Sequence, residues 1–512
     1  MWQRFTLYDI RVIAHYLGVL VLFSTVIYAI PFCVALILCE WEPASRYLTM
    51  CGVNALIGLL LRFACMSPRR LSRQQALAVT GISWILLAII ASIPLYQSGH
   101  YLSYSDALFD GVSGLTTTGA SVINDLEHLS YADNMFRFMM HLFGGLGLIV
   151  VALSFGLFGK GGASLYAAEA RSEHVIPNVI QTARLISRIT VLFVTVSTII
   201  VALLCFFDGM NPLRAFLHAL WVSISGFVTG GFTPTSQSIM YYHSFSIELV
   251  LMILMICGAI NFALHLDVWN GHIKAFFQDI EMRTMALWLM GLVFVFTASL
   301  SSSSVSSDLL ALLRRGLFTI IAAFSTAGFQ NVTTNAFTTV FTSGALLMVA
   351  VAMAIGGAAG STAGGIKLFR MGIVFKSIVA TIKETLAPDT ACVSISYNHL
   401  GKHILTPEVT KEAMTVFLLY VITFGVGTVA GIAAGYDAVQ AVFEAISMAS
   451  NGGLVSGIVS PGMPTWLELV YIFEMWAGRL EFVTLLALIV KIFASLFASR
   501  SKSAQKGGSS RA

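Results

Sequence analysis

Long apolar runs separated by short polar loops make up almost the whole chain. A helix that crosses a bilayer needs about 20 mainly apolar residues. Ten runs are candidates for such helices, at residues 12–39, 47–66, 76–96, 136–158, 184–208, 246–268, 285–300, 340–376, 413–435 and 465–497. The pattern therefore predicts an all-α polytopic membrane protein with about ten spans, an even number that places both ends on one side.

Four further apolar stretches are too short to cross a membrane, since each runs for about 10–15 residues. They begin at residues that favour a helix start, namely Ser105, Asn211, Ser307 and Asp437. This length suits a re-entrant half-helix, which is tolerated at membrane depth only where it is buried in protein or lines water.

Each half-helix leads into a short segment that contains glycine. These glycine segments read LTTTGAS (115–121), FVTGGFT (227–233), FSTAGFQ (324–330) and ASNGGLV (449–455). The C-terminus of a half-helix carries about half a negative charge, and glycine allows backbone carbonyls to turn inward. Close helix packing explains any one segment equally well. Four segments in register favour a ring of carbonyls around a permeating cation, with potassium as the expected ion.

The unit of span, half-helix, glycine segment and span thus occurs four times, after two additional spans. We expect two extra N-terminal transmembrane helices at 1–75, pore repeats at 76–160, 184–270, 284–385 and 410–498, and a polar cytosolic tail at 499–512. The third repeat also contains a glycine-rich interruption of its second span.

Composition and charge agree with a protein that lies mostly in lipid. Only 11% of the residues are charged, whereas a soluble protein has about 25%. Of the 29 Lys and Arg residues, 23 lie near the two ends or near the even-numbered loops. Because positively charged loops stay in the cytoplasm, both termini are predicted to be cytoplasmic and the glycine segments to face outside. The net charge of +4 reflects this topology rather than binding to nucleic acid.

Four other motifs add a family resemblance. They are GGLGLI (144–149), NFALH (261–265), GGAAGSTAGGIK (356–367) and GRLE (478–481). Together with the repeat, they resemble the Trk/Ktr/HKT superfamily of potassium transporters over nearly the whole chain, and the two extra N-terminal helices are most similar to its bacterial TrkH/TrkG branch. The resemblance implies K⁺ uptake across the bacterial inner membrane, a homodimer in the lipid bilayer, and a cytosolic ring of nucleotide-binding, TrkA-like regulatory subunits.

The resemblance also implies which residues form the selectivity filter. Coordinating backbone carbonyls are expected at Thr117, Thr118, Thr229, Gly230, Thr326, Ala327, Asn451 and Gly452. Each filter strand is completed by a glycine, at Gly119, Gly231, Gly328 and Gly453. In the fourth segment, a register shifted by one residue also fits the sequence.

The eighth predicted span contains five glycines within residues 356–365. Each costs about 1 kcal/mol relative to alanine inside a helix, so we expect the helix to break near the middle of the membrane. The break predicts a flexible gate across the permeation path, formed by Gly356, Gly357, Gly360, Ser361, Thr362, Gly364 and Gly365, with Lys367 following on the cytoplasmic side. A static kink that only relieves packing is the alternative.

Charged residues in the spans are the remaining candidates for function. Arg479 lies in the tenth span, where an arginine is costly and usually faces the interior or water. It either faces the pore as part of the gate or forms a structural pair with a carboxylate such as Glu474 or Glu481. Four carboxylates lie in or beside the half-helices, namely Asp106, Asp110, Asp437 and Glu444. They could attract cations or act locally as caps, and capping is favoured for Asp106 and Asp437.

Two other classes of protein are alternatives to an ion pathway. A secondary transporter of another cation or an organic solute, coupled to Na⁺ or protons, would have a pair of broken helices at the midplane rather than four. A membrane enzyme is disfavoured because the chain has no H-E-x-x-H or G-x-S-x-G motif. It also has no phosphate-binding G-x-x-x-x-G-K-[ST] loop, so no nucleotide site is expected in this chain. The scattered histidines predict no metal cluster, and the choice between a channel and a proton-coupled symporter stays open.

Overall fold

The computed structural model describes residues 5–64, 71–123, 125–155, 164–165, 179–301, 309–332, 342–388 and 393–497. Within them the protein is built from helices and one two-stranded antiparallel hairpin. Two helices precede the repeats, α1 (Leu7–Ile37) and α2 (Trp41–Arg62). The all-α architecture expected from the hydrophobic pattern is confirmed. The predicted tail at 499–512 lies outside the described residues.

Four units of helices follow the N-terminal pair. The first contains α3 (Arg73–Gln97), α4 (Tyr104–Thr116), α5 (Tyr131–Leu146) and α6 (Leu148–Ser154). The second contains α7 (Val179–Phe207), α8 (Pro212–Phe227), α9 (Phe245–Ala259) and α10 (Phe262–Trp269), and the short α11 (Ile273–Gln278) connects it to the third. The third contains α12 (Ile280–Ser301), α13 (Leu309–Phe324), α14 (Ser343–Ala354) and α15 (Leu368–Leu386). The fourth contains α16 (Pro407–Ala433), α17 (Ala438–Ala449), α18 (Thr465–Arg479) and α19 (Val483–Phe497).

The hairpin connects the third unit to the fourth. It consists of β1 (Ser396–Asn398) and β2 (Lys402–Ile404), with Tyr397 opposite His403. The hairpin packs beside the start of α12, because the backbone N–H of Leu400 donates to the Asp279 carboxylate over 3.2 Å.

The half-helices α4, α8, α13 and α17 are 13, 16, 16 and 12 residues long. At 1.5 Å per residue they are too short to cross a bilayer. Asn211 and Asp437 cap their helices as expected. The expected start at Ser105 is wrong, because Ser103 caps α4 in a reciprocal capping box with Asp106. The expected start at Ser307 lies outside the described residues.

The four units close into a ring. The first part of each unit's second span packs against the half-helix of the next unit: α5 against α8, α9 against α13, α14 against α17, and α18 against α4. The last of these contacts joins the fourth unit to the first. Closure in this order places every half-helix between two units, as non-spanning helices at membrane depth require.

The second span of every unit is interrupted, whereas an interruption was expected only in the eighth span. The helices α5 and α6 meet at 79°, and α9 and α10 meet at 104°. The predicted continuous spans 136–158, 246–268 and 465–497 are therefore each two helices. Among the described residues, five helices are long and apolar enough to cross a membrane, or seven if each bent pair counts as one span.

Buried polar contacts attach the N-terminal pair to the first unit. Arg46 of α2 donates to both carboxylate oxygens of Asp133 at the start of α5, over 2.7 and 2.8 Å. The hydroxyl of Tyr47 donates to the same carboxylate over 2.6 Å. Glu40 accepts the backbone N–H groups of Tyr131 and Ala132, where the positive end of a helix dipole favours an acid.

This arrangement predicts that Asp133→Ala destabilises the protein by about 3–5 kcal/mol, because it leaves Arg46 buried without its carboxylate. Glu42→Ala is the matched control, since Glu42 also pairs with Arg46 but its side chain is 72% exposed. Thermal unfolding of both variants in detergent measures the difference. Equal midpoints for the two variants would contradict the assignment of Arg46–Asp133 as the attachment point.

Candidate ion pathway

The four glycine segments leave their half-helices with the same backbone conformation. The third residue of each segment has a left-handed φ, between 51° and 56°, at Thr117, Thr229, Thr326 and Asn451. Two residues later φ is again positive, between 71° and 87°, at Gly119, Gly231, Gly328 and Gly453. A β-branched residue rarely adopts a positive φ, and such strained positions cluster at functional sites. In the fourth segment, Asn451 and Gly453 occupy these positions, without the shift by one residue.

A common hydrogen bond fixes each turn. The residue after the left-handed one donates its backbone N–H to a carbonyl five residues earlier, over 2.7–2.9 Å: Thr118 to Ser113, Gly230 to Ser225, Ala327 to Ala322 and Gly452 to Ser447. This satisfies one carbonyl at the C-terminus of each half-helix, a group that the helix itself leaves without a partner. The same backbone hydrogen bond therefore helps to position the carbonyls in all four glycine segments.

The segments form a closed ring in which each glycine faces a carbonyl of the next unit. A β-carbon at Gly119, Gly231, Gly328 or Gly453 would lie less than 3.0 Å from the carbonyl oxygen of Gly230, Ala327, Gly452 or Thr118, respectively. Real β-carbons essentially never approach other atoms so closely. The ring therefore leaves no space for a side chain at these four positions.

Buried carboxylates hold two of the segments in place. Asp110 accepts from the Ser121 hydroxyl over 2.7 Å and from the backbone N–H of Val122 over 3.0 Å. Glu444, which stands at the same distance before its glycine segment, accepts from the N–H and hydroxyl of Ser456, each over 2.7 Å. Both carboxylates are fully buried. They tie a half-helix to the chain that leaves the segment, and they do not line an exposed vestibule.

The loop 355–367 between α14 and α15 lies against the glycine segments of the second and third units. The carbonyls of Phe227 and Gly258 both lie within 3.0 Å of the Thr362 hydroxyl, which can donate to either of them. The same hydroxyl accepts a hydrogen bond from the Thr229 hydroxyl over 3.2 Å. The backbone N–H of Gly364 donates to the Thr326 hydroxyl over 2.7 Å. The expected gate residues are thus directly next to the expected filter residues.

Other contacts hold the ends of this loop. Gly360 and Gly365 have positive φ, at 63° and 69°. The Tyr420 hydroxyl donates to the carbonyl of Gly365 over 3.1 Å. Lys367 caps α15 and is buried, and its ammonium folds back to donate to the carbonyl of Ala363.

Arg479 reaches the same place from the fourth unit. It is the last residue of α18, and its guanidinium donates to the Thr117 hydroxyl and the Thr362 carbonyl, each over 3.3 Å. It also donates to the carbonyls of Gly144 and Gly145 over 2.5 and 3.1 Å. Glu481, one of the carboxylates expected as an alternative partner, forms an ion pair with Arg370.

Sequence reasoning missed a second set of equivalent glycines where the second spans break. At Gly144, Gly258 and Gly478 a β-carbon would lie less than 3.0 Å from the last carbonyls of the half-helix of the same unit, those of Leu115, Phe227 and Ala449. In the third unit, Gly356 instead faces Gly364 of the loop 355–367. The next residue along is Gly145, Ala259, Gly357 or Arg479, so the arginine is the one bulky member. The signal was present in the sequence as a spacing of about 27–30 residues after the left-handed position.

A buried acidic pair connects this loop to the hairpin. Glu281 accepts the backbone N–H of Ala359 over 2.6 Å. Asp279, at the same end of α12, accepts from Leu400 and lies 3.3 Å from the His399 ring. The three side chains Asp279, Glu281 and His399 bring potential metal-ligand atoms within 4.8 Å of one another, a grouping that the sequence did not predict. The hydrogen bonds of Glu281 and Asp279 make this group a structural link between the loop 355–367 and the hairpin.

A ring of four re-entrant half-helices with interrupted second spans defines a multi-pass membrane transport protein. The family model TrkH, described as a cation transport protein, matches residues 48–500, and the chain belongs to this family. The resemblance inferred from the motifs is confirmed, and the family is one of cation transporters rather than enzymes.

Relatives and a solved structure agree over almost the full length. The chain is 30% identical to the Trk system potassium uptake protein TrkH of Escherichia coli, covering 94% of this chain and 99% of the relative. It is 28% identical to an uncharacterised cation transporter of Methanocaldococcus jannaschii, covering 96% and 97%. The crystal structure of the potassium transporter TrkH from Vibrio parahaemolyticus matches with a TM-score of 0.81 and 26% identity, over 94% of this chain and 99% of that one.

Proposed function

We propose that this protein takes up K⁺ across the bacterial inner membrane through a selectivity filter of backbone carbonyls. The observation that carries the proposal is the closed ring of four glycine segments with one shared backbone conformation. Carbonyls held in such a ring replace the hydration shell of a cation. The names of the Escherichia coli and Vibrio parahaemolyticus proteins support potassium as the ion.

The filter carbonyls are assigned to the residues that occupy equivalent places in the ring. They are Thr117 and Thr118, Thr229 and Gly230, Thr326 and Ala327, and Asn451 and Gly452, with Gly119, Gly231, Gly328 and Gly453 completing the strands. Four carbonyl oxygens, from Thr118, Gly230, Ala327 and Gly452, each stand next to a glycine of the neighbouring unit. This cyclic order supports a single axial pathway rather than a site between two halves.

The loop 355–367 and Arg479 form the gate in this proposal. Between them they contact all four units: Thr362 and Gly364 contact the second and third, and the Arg479 guanidinium of the fourth donates to Thr117 and Gly144 of the first. A half-buried cationic group below the ring opposes the passage of another cation. Opening then requires Arg479 and the loop to move away from the axis.

Control from the cytoplasm is part of the proposal. With both termini cytoplasmic, the hairpin β1–β2 lies on the cytoplasmic side, and Asp279 and Glu281 connect it to Ala359 of the gate. A TrkA-like nucleotide-binding subunit bound to this face of a homodimer could act on the gate through that link. The chain itself supplies no nucleotide site in the proposal.

The direct test is uptake of ⁸⁶Rb⁺ into liposomes that contain the purified protein, in competition with K⁺ or Na⁺. We expect K⁺ to block uptake and Na⁺ to leave it largely unchanged. Equal competition by both ions would keep the pathway but remove its selectivity for potassium. Absence of cation flux, with saturable flux of an organic solute, would favour the secondary-transporter alternative.

Gly119→Ser is expected to weaken the preference for K⁺ over Na⁺, because its β-carbon must displace the Gly230 carbonyl. A loss of about 1.4 kcal/mol at that carbonyl corresponds to a roughly tenfold lower preference. Gly99→Ser is the matched control, since Gly99 also has a positive φ, 77°, but no atom lies within 4 Å of its β-carbon position. Unchanged ion ratios in Gly119→Ser would remove this glycine from the filter.

Arg479→Gln is expected to raise basal ⁸⁶Rb⁺ flux severalfold, because glutamine removes the charge but keeps hydrogen-bond donors for the nearby carbonyls. The exposed Arg188→Gln is the control for a loss of charge elsewhere. Thermal unfolding of each variant is measured beside the flux. A stably folded Arg479→Gln protein with wild-type flux would show that the arginine is not a barrier.

A further inference from the structure

A groove with a volume of about 630 Å³ lies between α12 and α15, beside the hairpin β1–β2. At one point Gly372 allows the two helices to approach closely, because a β-carbon there would lie less than 3.0 Å from the Ile280 side chain. The helix α15 begins directly after the loop 355–367. The groove therefore lies between two helices of the third unit, outside the ring of glycine segments.

On α12 the lining of the groove runs from a cationic end to an apolar end, whereas on α15 Phe375 and Lys376 are adjacent. Leu287, Trp288 and Phe375 supply the apolar part, and Leu287 and Phe375 are 70% and 50% exposed. Arg283 and Lys376 supply the cations. On α12, Arg283 precedes Leu287 and Trp288 by four and five residues, or about 6–8 Å along the helix axis. The lining thus changes from charged to apolar over the depth of a lipid headgroup region.

The apolar end continues into a surface that suits lipid chains. Leu287, Met290 and Phe294 are 70%, 62% and 74% exposed, and they follow one another on one face of α12. Tryptophan and basic residues at the start of such a face are typical of the membrane interface. A ligand of this groove can therefore place a polar group at Arg283 while its apolar part remains in the bilayer.

Within the described part of the chain, both cations of the groove donate to backbone carbonyls rather than to acids. The Arg283 guanidinium donates to the carbonyl of Phe277 over 3.2 Å, and the Lys376 ammonium donates to that of Ser396 over 3.0 Å. Among the described residues, neither forms a salt bridge. The nearby acids Asp279 and Glu281 are buried and accept from Leu400 and Ala359 instead. The groove therefore carries two positive charges available to an anionic ligand.

We propose that this groove binds a phospholipid with an anionic headgroup. Its phosphate lies between Arg283 and Lys376, and an acyl chain covers Leu287, Trp288 and Phe375. The exposed apolar face that continues from the cations favours a lipid over a soluble phosphate, and the two cations favour an anionic over a zwitterionic headgroup. With both termini cytoplasmic, as proposed above, the groove beside the hairpin β1–β2 faces the cytoplasmic leaflet. Lipid binding itself is independent of the proposed filter.

Native mass spectrometry of the purified, delipidated protein tests the site. The protein is given phosphatidylglycerol or phosphatidylcholine with identical chains, and the lipid retained is measured. We expect the wild-type chain to retain more phosphatidylglycerol, and R283Q/K376Q to bind it roughly thirtyfold less tightly, since each of the two basic residues near a membrane contributes about 1 kcal/mol. The control R184Q/R188Q removes two exposed arginines of α7 and should bind as the wild type does.

The conservative swap R283K/K376R keeps both charges and should keep the lipid, which separates charge from folding. Equal retention of phosphatidylglycerol by the wild type and a folded R283Q/K376Q would overturn the proposal. Equal retention of the two lipids would overturn it as well, and so would displacement of the lipid by an equal concentration of glycerol 3-phosphate, which would indicate a site for soluble phosphate. No ion flux enters this measurement, so its failure would leave the proposed K⁺ uptake untouched.

Discussion

Inside a bilayer, the backbone N–H and C=O groups beyond the end of a helix have no water with which to form hydrogen bonds. This constraint governs the arrangement of all four units. Each half-helix ends in non-helical backbone at membrane depth, beginning with the left-handed residues Thr117, Thr229, Thr326 and Asn451. Such backbone is stable only inside protein or beside a water-filled path. The ring meets this requirement, because each half-helix is covered by the second span of the preceding unit.

The ring closes through close backbone contacts, and these contacts require glycine at two sets of positions, which we call the upper and the lower level. At the upper level, Gly119 and its three equivalents face carbonyls of the next unit. At the lower level, Gly144, Gly258 and Gly478 face the last carbonyls of their own half-helices. Any side chain at these places would separate the segments and expose unsatisfied carbonyls. The breaks in the second spans occur next to this lower level, where the helix must pass under the half-helix.

The departures from fourfold symmetry coincide with the places proposed for gating. The third unit replaces the direct contact of the lower glycine by the loop 355–367, and the fourth replaces a small residue by Arg479. The two meet at the Thr362 carbonyl, beneath the ring. Glu281 connects the loop to the end of α12 that holds the hairpin. Of the two asymmetric parts, the loop 355–367 is therefore the one linked to the hairpin between the third and fourth units.

Local chemistry in the sequence determined the helices, the short half-helices and the glycine segments, because hydrophobic runs, caps and glycines act over a few residues. It also predicted the break at residues 356–365, where five glycines are close together. It placed the start of α4 two residues late, although the capping box of Ser103 and Asp106 is itself a local signal. The other three breaks depend on close packing against the half-helix of the same unit, and the partner of Glu481 and the acceptors of Arg479 lie more than about a hundred positions away. Only the tertiary structure decided these, because an apolar run reads the same whether it continues straight or bends beneath a neighbouring carbonyl.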